Sequence, residues 1–235
     1  MRHVLAQWLG VGLFSACLGI AGGGRAVACD AGEKDSQGIP AGHRTPAVEK
    51  IEMVLDEPTE LEFIEVPLTD VVCYLNTRHG IAIQIDKRCL DEAALPPDTR
   101  ITRNLKGVTL RSALSLTLRE LPIPLSFVVV DEVLLITTKA QADTMLSIRV
   151  YPVCDLLQPM ADDEAKPDFE PLISVIQAAV APQSWMEVGG PATAHALPST
   201  ESIVIRQTQD AHWEIAGLLA ALREARATQA KASNK

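Results

Sequence analysis

A strand-helix-strand pattern occurs twice in this chain, with Leu68 and Leu110 at equivalent positions 42 residues apart, and this repeat limits how the chain can fold. In the first copy, LEFIEV alternates apolar and polar residues, PLTDVVCYLNTRHG spaces its apolar residues as a helix does, and IAIQID alternates again. In the second copy, ITRNLKGV, TLRSALSLTLREL and LSFVVV follow the same order. Periods of 2 and 3.6 residues predict strands and amphipathic helices. The repeat therefore predicts an α+β fold, with helices packed on small mixed sheets.

Several residues mark the ends of these elements. Gly80 is a helix-stop signal, and Pro96-Pro97 ends a short helical turn that lies between the two copies. LSFVVV and VLLITT are separated by Asp131-Glu132, which predicts a β-hairpin.

The second half of the chain predicts another α+β module of order β-α-β-β-α. Its elements are the strand SIRVYPV, the helix PLISVIQAAV, a loop or loose hairpin, the strand IVIRQT and a helix from Gln209 to Glu224. In PLISVIQAAV we expect four apolar residues to face the core, namely Leu172, Val175, Ile176 and Ala179.

The first 28 residues predict an export signal. MRH is a short positive start, a long apolar run follows, and Ala26-Val27-Ala28 is a small-residue cleavage site. A retained membrane anchor is the alternative, because roughly 20 apolar residues span a bilayer. Cys17 and Cys29 loosely match a lipidation motif and are the candidate lipidation sites. We therefore expect an exported protein of the periplasm or cell envelope, with membrane contact only through the signal or a lipid anchor.

These features divide the chain into five parts. Residues 1–28 are the predicted signal peptide, and the polar residues 29–50 are a predicted flexible leader. The two modules then occupy residues 51–145 and 146–225, and residues 226–235 are a predicted disordered tail. Within the first module, Ile51–Leu55 is either a short strand or a helix.

The net charge argues against nucleic acid as a partner. Removal of Arg2 and Arg25 with the signal leaves 19 Lys and Arg against 30 Asp and Glu, a net charge of −11. Nucleic-acid binding requires basic surfaces that neutralise phosphates, and the sequence has no basic stripe of this kind.

The two modules resemble a known pair of bacterial domains. The residues LEFIEVPLTDVVCYLNTRHGIAIQID, followed by ITRNLKGVTLRSALSLTLRE, resemble the secretin/TonB short N-terminal domain. RVYPV, PLISVIQAAV, TESIVIRQT and LLAAL are similar to the KH-like domain that follows it in secretins. The resemblance implies a periplasmic module that works by protein contact. The chain ends eleven residues after Glu224, so we expect no outer-membrane barrel and no channel activity.

Cys73 and His79 invite an enzymatic interpretation that helix geometry disfavours. Residues six positions apart on a helix point about 240° apart, so the two side chains cannot form a dyad within one helix. We expect Cys73 to be a buried, inert thiol and His79 to lie at a helix end. Cys29, Cys73, Cys89 and Cys154 are predicted mostly as free, buried thiols, and a Cys73–Cys89 disulfide is the alternative.

No other motif predicts chemistry. The histidines show no metal-binding spacing, VGGPATAH is predicted as a turn or loop, and His212 and Trp213 are expected to make a surface or interface contact. We therefore predict no catalytic residue, no cofactor and no metal site, and hence no enzyme.

Two functions remain. The first is a scaffold or adaptor that binds envelope proteins or itself through the sheet edge around residues 127–137 and the helix of residues 110–121. The proposed contact residues are Phe127, Val129, Leu135, Thr137 and Trp213. The alternative is a periplasmic ligand-binding protein that holds a peptide or cell-wall fragment in the cleft between the modules.

Overall fold

The computed structural model describes residues 39–40, 45–157 and 167–233, and the structural statements below concern only these. The strands are β1 (Ile39–Pro40), β2 (Pro58–Pro67), β3 (Ile83–Ile85), β4 (Arg100–Thr109), β5 (Leu125–Val130), β6 (Val133–Thr138), β7 (Leu146–Pro152), β8 (Thr193–Leu197) and β9 (Ser202–Thr208). The helices are α1 (Pro46–Asp56), α2 (Leu68–His79), α3 (Lys87–Glu92), α4 (Leu110–Arg119), α5 (Lys139–Ala142), α6 (Glu170–Ala179) and α7 (Gln209–Ser233). None of these helices combines the length and the apolar character needed to cross a membrane.

The strands form three small sheets, which confirms the predicted α+β class. Strands β2 and β4 pair as an antiparallel ribbon. Strands β3, β6 and β5 form a mixed sheet in that order, with β3 parallel and β5 antiparallel to β6. Strands β1, β7, β9 and β8 form an antiparallel sheet in that order.

The predicted repeat is confirmed in the first half of the chain, as β2-α2-β3 and β4-α4-β5. Helix α2 contacts β2 and β3, and α4 contacts β4, β5 and β2. Their apolar faces, together with α1, form the first hydrophobic core, in which Leu55, Leu75, Leu110 and Leu134 are fully buried.

Local signals set the ends of these elements, and the predictions made for Gly80 and for Asp131-Glu132 are confirmed. Gly80 ends α2 with a left-handed backbone (φ 61°), and its N–H donates to the carbonyl of Asn76. The hydroxyl of Thr109 accepts a hydrogen bond from the N–H of Ser112 and so caps α4. Asp131 and Glu132 have φ values of 49° and 67° and form the two-residue turn of the β5–β6 hairpin.

The second half has the predicted order, as β7-α6-β8-β9-α7. Side chains from one face of the four-stranded sheet pack with α6 and α7 in a second hydrophobic core, which includes Tyr151, Trp185, Ile203, Ile215 and Leu219. Alternate residues of the strands, such as Val204 and Arg206, lie on the opposite face.

The buried face of α6 differs from the prediction. Ile173 and Ile176 are buried, whereas Val175 is 45% exposed and Ala179 is exposed. Apolar residues occupy more than one side of this helix, so its sequence allows two phases. Ile173, Ile176 and Val180 are buried in the second core and Leu172 packs against it, so the prediction is confirmed for Ile176 and wrong for Val175 and Ala179.

Two helix ends also differ from the prediction. Helix α7 continues to Ser233, nine residues beyond Glu224, so residues 226–233 are helical rather than a disordered tail. This stretch is rich in alanine and has no glycine or proline, which favours helix. At the other end, α1 begins at Pro46 within the predicted leader, because proline suits the first turn of a helix.

Side chains connect the two cores directly. Glu52 on α1 and Arg149 on β7 form a buried ion pair with a distance of 3.1 Å between Oε1 and Nη2. The side chain of Gln209, at the start of α7, accepts a hydrogen bond from the N–H of Val129 on β5 at 2.7 Å. The start of α7 therefore contacts both halves of the described chain.

Candidate protein-interaction site

The predicted contact residues on β5 and β6 are mostly covered within the chain. Phe127 and Thr137 are 1% and 0% exposed, and Val129 and Leu135 are partly buried. Strand β6 lies between β3 and β5 and is therefore not an edge. The buried side chains of Phe127 and Thr137 cannot contact a partner while the domain remains folded.

The side chain of Trp213 packs against other residues of this chain. Its ring centroid lies 5.4 Å from that of Phe127, and the guanidinium carbon of Arg111 lies 4.1 Å from its ring centroid. The second distance fits a cation–π contact. Trp213 therefore joins α7 to the first core, as an interface within the chain.

Side-chain amides pair with both outer edges of the mixed sheet. Asn76 donates from Nδ2 to the carbonyl of Ile83 on β3, and its Oδ1 accepts from the N–H of the same residue. Gln209 pairs with Val129 on β5. Unpaired edge groups attract foreign strands, so both amides reduce that tendency. No spacing rule in the sequence predicts these two caps.

Next to the outer edge of β8, the hydrogen bonds come from backbone groups and not from a side-chain amide. The N–H and C=O of Ala192, just before β8, bond to the backbone of Ser184 and Met186. Gly190 makes this close approach feasible, since a Cβ at that position would lie 2.1 Å from the Ser184 carbonyl oxygen. The segment VGGPATAH was predicted as a turn or loop, but its last three residues, 193–195, belong to β8.

An apolar groove runs between α6 and α7. Its volume is about 910 Å³, and its apolar lining is Leu156, Leu157, Leu172, Val175, Leu222 and Ala225. Val175 is exposed because α6 turns Ile173, Ile176 and Val180 toward the second core instead. Asp168 and Arg226 add charged groups to the wall, and Arg226 donates to the carbonyl of Leu157.

The thiols are more accessible than predicted. Cys73 is exposed, and Cys89 and Cys154 are half-buried, so the expectation of buried thiols was wrong. Cys73 lies on the side of α2 away from the buried Val71, Val72 and Leu75. The alternative Cys73–Cys89 disulfide is also absent, since both are free thiols. A hydrogen bond with Asp86 raises the pKa of the Cys89 thiol.

The three histidines within the described ranges lie apart, in different settings. His79 ends α2, where burial and the neighbouring Arg78 lower its pKa, and its Nε2 lies 3.4 Å from the Thr59 hydroxyl. His195 is exposed on β8. His212 is fully buried, contrary to the expected surface contact, and burial lowers its pKa to about 4.

His212 is held by two hydrogen bonds. Its Nδ1 lies 2.9 Å from the hydroxyl of Tyr151, and its Nε2 lies 2.9 Å from the carbonyl of Ser147, both on β7. Across the described ranges, no group of three or more His, Cys, Asp and Glu residues is arranged to hold a metal ion. The candidate lipidation sites, Cys17 and Cys29, and the predicted signal lie outside the described residues.

No protein-family model and no curated protein matches the chain. Among solved structures, it matches the N-terminal domain of the secretin XcpQ from Pseudomonas aeruginosa, with 15% identity and a TM-score of 0.23, over 71% of this chain and 64% of that one. It also matches the Vibrio cholerae type IV competence pilus secretin PilQ, with 16% identity and a TM-score of 0.26, over 69% and 38%. A third match is the GspC–GspD complex of the type II secretion system of enterotoxigenic Escherichia coli, with 10% identity and a TM-score of 0.23, over 72% and 99%.

The structural neighbours are thus secretins and their N-terminal domains, and the chain spans less than two thirds of the matched XcpQ and PilQ chains.

Proposed function

We propose that this chain is a non-enzymatic interaction module of the bacterial envelope, related to the periplasmic domains of secretins. Its two modules correspond to residues 51–145 and 146–225, and the first is of the secretin/TonB short N-terminal type. The sequence motifs quoted above support this relationship. Export by the N-terminal signal, with or without lipidation at Cys17 or Cys29, would place the chain in the periplasm or envelope.

The observation that carries the proposal is the apolar groove between α6 and α7. Two helices flank a floor of leucine and valine side chains, an arrangement that accepts the apolar face of a third helix. We propose that the occupant is an amphipathic helix of another envelope protein. Burial of its apolar residues would contribute about 25 cal/mol per Å² of apolar surface.

Photocrosslinking in the native host tests this proposal. A photoreactive residue at Val175, inside the groove, should form a discrete protein adduct. At Ser174, which is exposed and adjacent in sequence but does not line the groove, the same residue should form none. Leu172→Asp should abolish the Val175 adduct, because it places a charge in the apolar floor. The proposal is wrong if the two positions give the same adducts or if Leu172→Asp changes nothing.

A cavity between the two cores favours the alternative function, capture of a peptide or cell-wall fragment. It has a volume of about 590 Å³ and is lined by Arg119 and Lys139 from the first half and by Gln207, Asp210 and Glu214 from the second. Cavities of this size commonly bind small ligands. Calorimetric titration with muropeptides would test it: binding that weakens in Arg119→Glu and Glu214→Lys supports the alternative, and absence of heat contradicts it.

A further inference from the structure

The outer edge of β8 presents backbone groups that face away from its neighbour β9. Groups on a strand alternate in direction, and the N–H and C=O of Ala192 point outward to Ser184 and Met186. The same alternation turns the N–H and C=O of Ala194 and Ala196 outward. No hydrogen bond to these four groups is present within the described residues. The side-chain amides that cap the mixed sheet have no counterpart on β8.

The open edge is bounded at both ends. At one end, the outward groups of Ala192 are already bonded. At the other, Pro198 follows β8 and has no N–H to donate. Between them lie five residues, Thr193–Leu197, which include no Asp, Glu, Lys, Arg or Pro. Charged residues and prolines are the usual protection of an edge strand, so this segment remains available for pairing.

We propose that a second copy of this chain pairs with β8 in an antiparallel arrangement, about a two-fold axis beside His195. Ala194 then faces Ala196 of the second copy, and Ala196 faces its Ala194. Each pair exchanges two hydrogen bonds, so all four outward groups on each copy are used. The two four-stranded sheets become one continuous sheet.

The boundaries of the edge favour a second copy over a foreign strand. In this register, the bonded Ala192 of one copy faces Pro198 of the other, so both strands stop pairing at the same place. Alanine faces alanine, and Leu197, which is 40% exposed, faces Thr193 of the second copy. His195 faces His195 of the second copy on the axis, and none of the five positions carries Asp, Glu, Lys or Arg. The inference deepens the interaction role proposed above, but it uses a surface outside the α6–α7 groove.

A disulfide across the axis tests the register. In a background with the native cysteines replaced by serine, His195→Cys would face its own copy in a non-hydrogen-bonded pair, where Cα atoms are about 4.5 Å apart and a disulfide can form. Leu197→Cys is the matched control. In this register the two cysteines would be offset by four residues, roughly 13 Å along the strand, and could not form a disulfide. We expect linked dimers from the full chain with His195→Cys and none with Leu197→Cys.

Removal of the outward N–H tests the hydrogen bonds. Ala196→Pro keeps the pairing of β8 with β9, since an edge strand tolerates proline where the N–H faces solvent. We expect it to raise the dimer dissociation constant, measured by sedimentation, about tenfold or more, and we expect Ala196→Ser to leave it unchanged. A chain that stays monomeric at millimolar concentration, equal linkage through Leu197→Cys, or no effect of Ala196→Pro would each overturn the proposal.

These results are separable from the groove experiment. If the Leu172→Asp variant still forms the dimer and no groove adduct is found, the β8 pairing is supported and the envelope partner is rejected. Groove adducts formed by a chain that remains monomeric would support the envelope partner and reject the β8 pairing.

Discussion

The side chain of Asn76 forms two hydrogen bonds with the backbone of Ile83, donating to its carbonyl at 3.2 Å and accepting from its N–H at 2.7 Å. The amide thus occupies the place that a neighbouring strand would take beside β3. The short edge of the mixed sheet is closed by one residue of the adjacent helix, α2.

Replacement of Asn76 should therefore both destabilise and expose this edge. We expect Asn76→Leu to lower the free energy of unfolding by about 1–3 kcal/mol, because it leaves the Ile83 N–H and C=O unpaired. Urea unfolding measures the effect. Asn104, which is exposed on β4, is the matched control, and Asn104→Leu should change stability by less than about 0.5 kcal/mol. Equal losses from both variants would contradict the capping role.

The buried pair of Glu52 and Arg149 should show strong coupling. Arg149→Met breaks the buried ion pair with Glu52 by removing its cationic member, which should cost about 3–5 kcal/mol. The double variant Glu52→Met/Arg149→Met should cost less than the two single variants together, because neither charge remains. A double-mutant cycle in guanidinium chloride measures the coupling.

The exposed pair Arg88–Glu92 provides the control for that cycle. Its side chains are 85% and 64% exposed, so its coupling should not exceed about 0.5 kcal/mol. Additive effects of Glu52→Met and Arg149→Met would show that the two side chains act independently.

Stability should fall in mild acid because of His212. Burial lowers the pKa of His212 to about 4, from an ordinary value of 6.5. In the unfolded chain the imidazole takes up a proton near pH 6.5, whereas in the folded chain it remains neutral until about pH 4. The contribution of His212 is therefore complete above pH 6.5, and it is lost as the pH falls from 6.5 toward 4, with a slope of up to about 1.4 kcal/mol per pH unit.

His212→Gln should flatten the dependence of stability on pH in this range. The measurement is urea unfolding at a series of pH values between 4 and 7. His195→Gln, at an exposed position, should retain the wild-type slope. The assignment fails if His212→Gln and wild type lose stability in parallel.

Cys73 should be the most reactive of the three described thiols. Its exposure admits a maleimide reagent, while the bond to Asp86 raises the pKa of Cys89 and so lowers its thiolate fraction. Peptide mapping by mass spectrometry should find Cys73 modified before Cys89 and Cys154. Cys73→Ala should change stability by less than about 0.5 kcal/mol, since no buried contact is lost. Earlier modification of Cys89 would contradict this order.

Sequence patterns predicted the elements whose causes are local. The repeat, the glycine stop at Gly80 and the hairpin at Asp131-Glu132 depend on residues close together in the chain. The central position of β6 could not be predicted in this way, because its parallel pairing joins Ile83 to Leu134 across a long stretch of sequence. The predicted edge around residues 127–137 therefore combines β5, which is an outer strand of this sheet, with β6, which has neighbours on both sides.

The candidate surfaces were harder to predict because they depend on helix phase and on single long-range bonds. The apolar residues of α6 allow two orientations of this helix, since they include Leu172, Ile173, Val175 and Ile176. The orientation that is adopted exposes Val175, which lines the groove. The edge of β8 becomes distinctive only when the bonds of Ala192 and the caps on the other sheet are known. A clue within the sequence was the absence of Asp, Glu, Lys and Arg from Thr193–Leu197, next to Pro198.

His212 and Trp213 are neighbours on α7, yet they face different cores. Successive helix residues point about 100° apart, so the imidazole of His212 packs against Tyr151 while the indole of Trp213 packs against Phe127. Neither half can melt without disturbing the first turn of α7. The two halves should therefore share one heat-absorption peak in calorimetry, and Trp213→Ala should divide it into two.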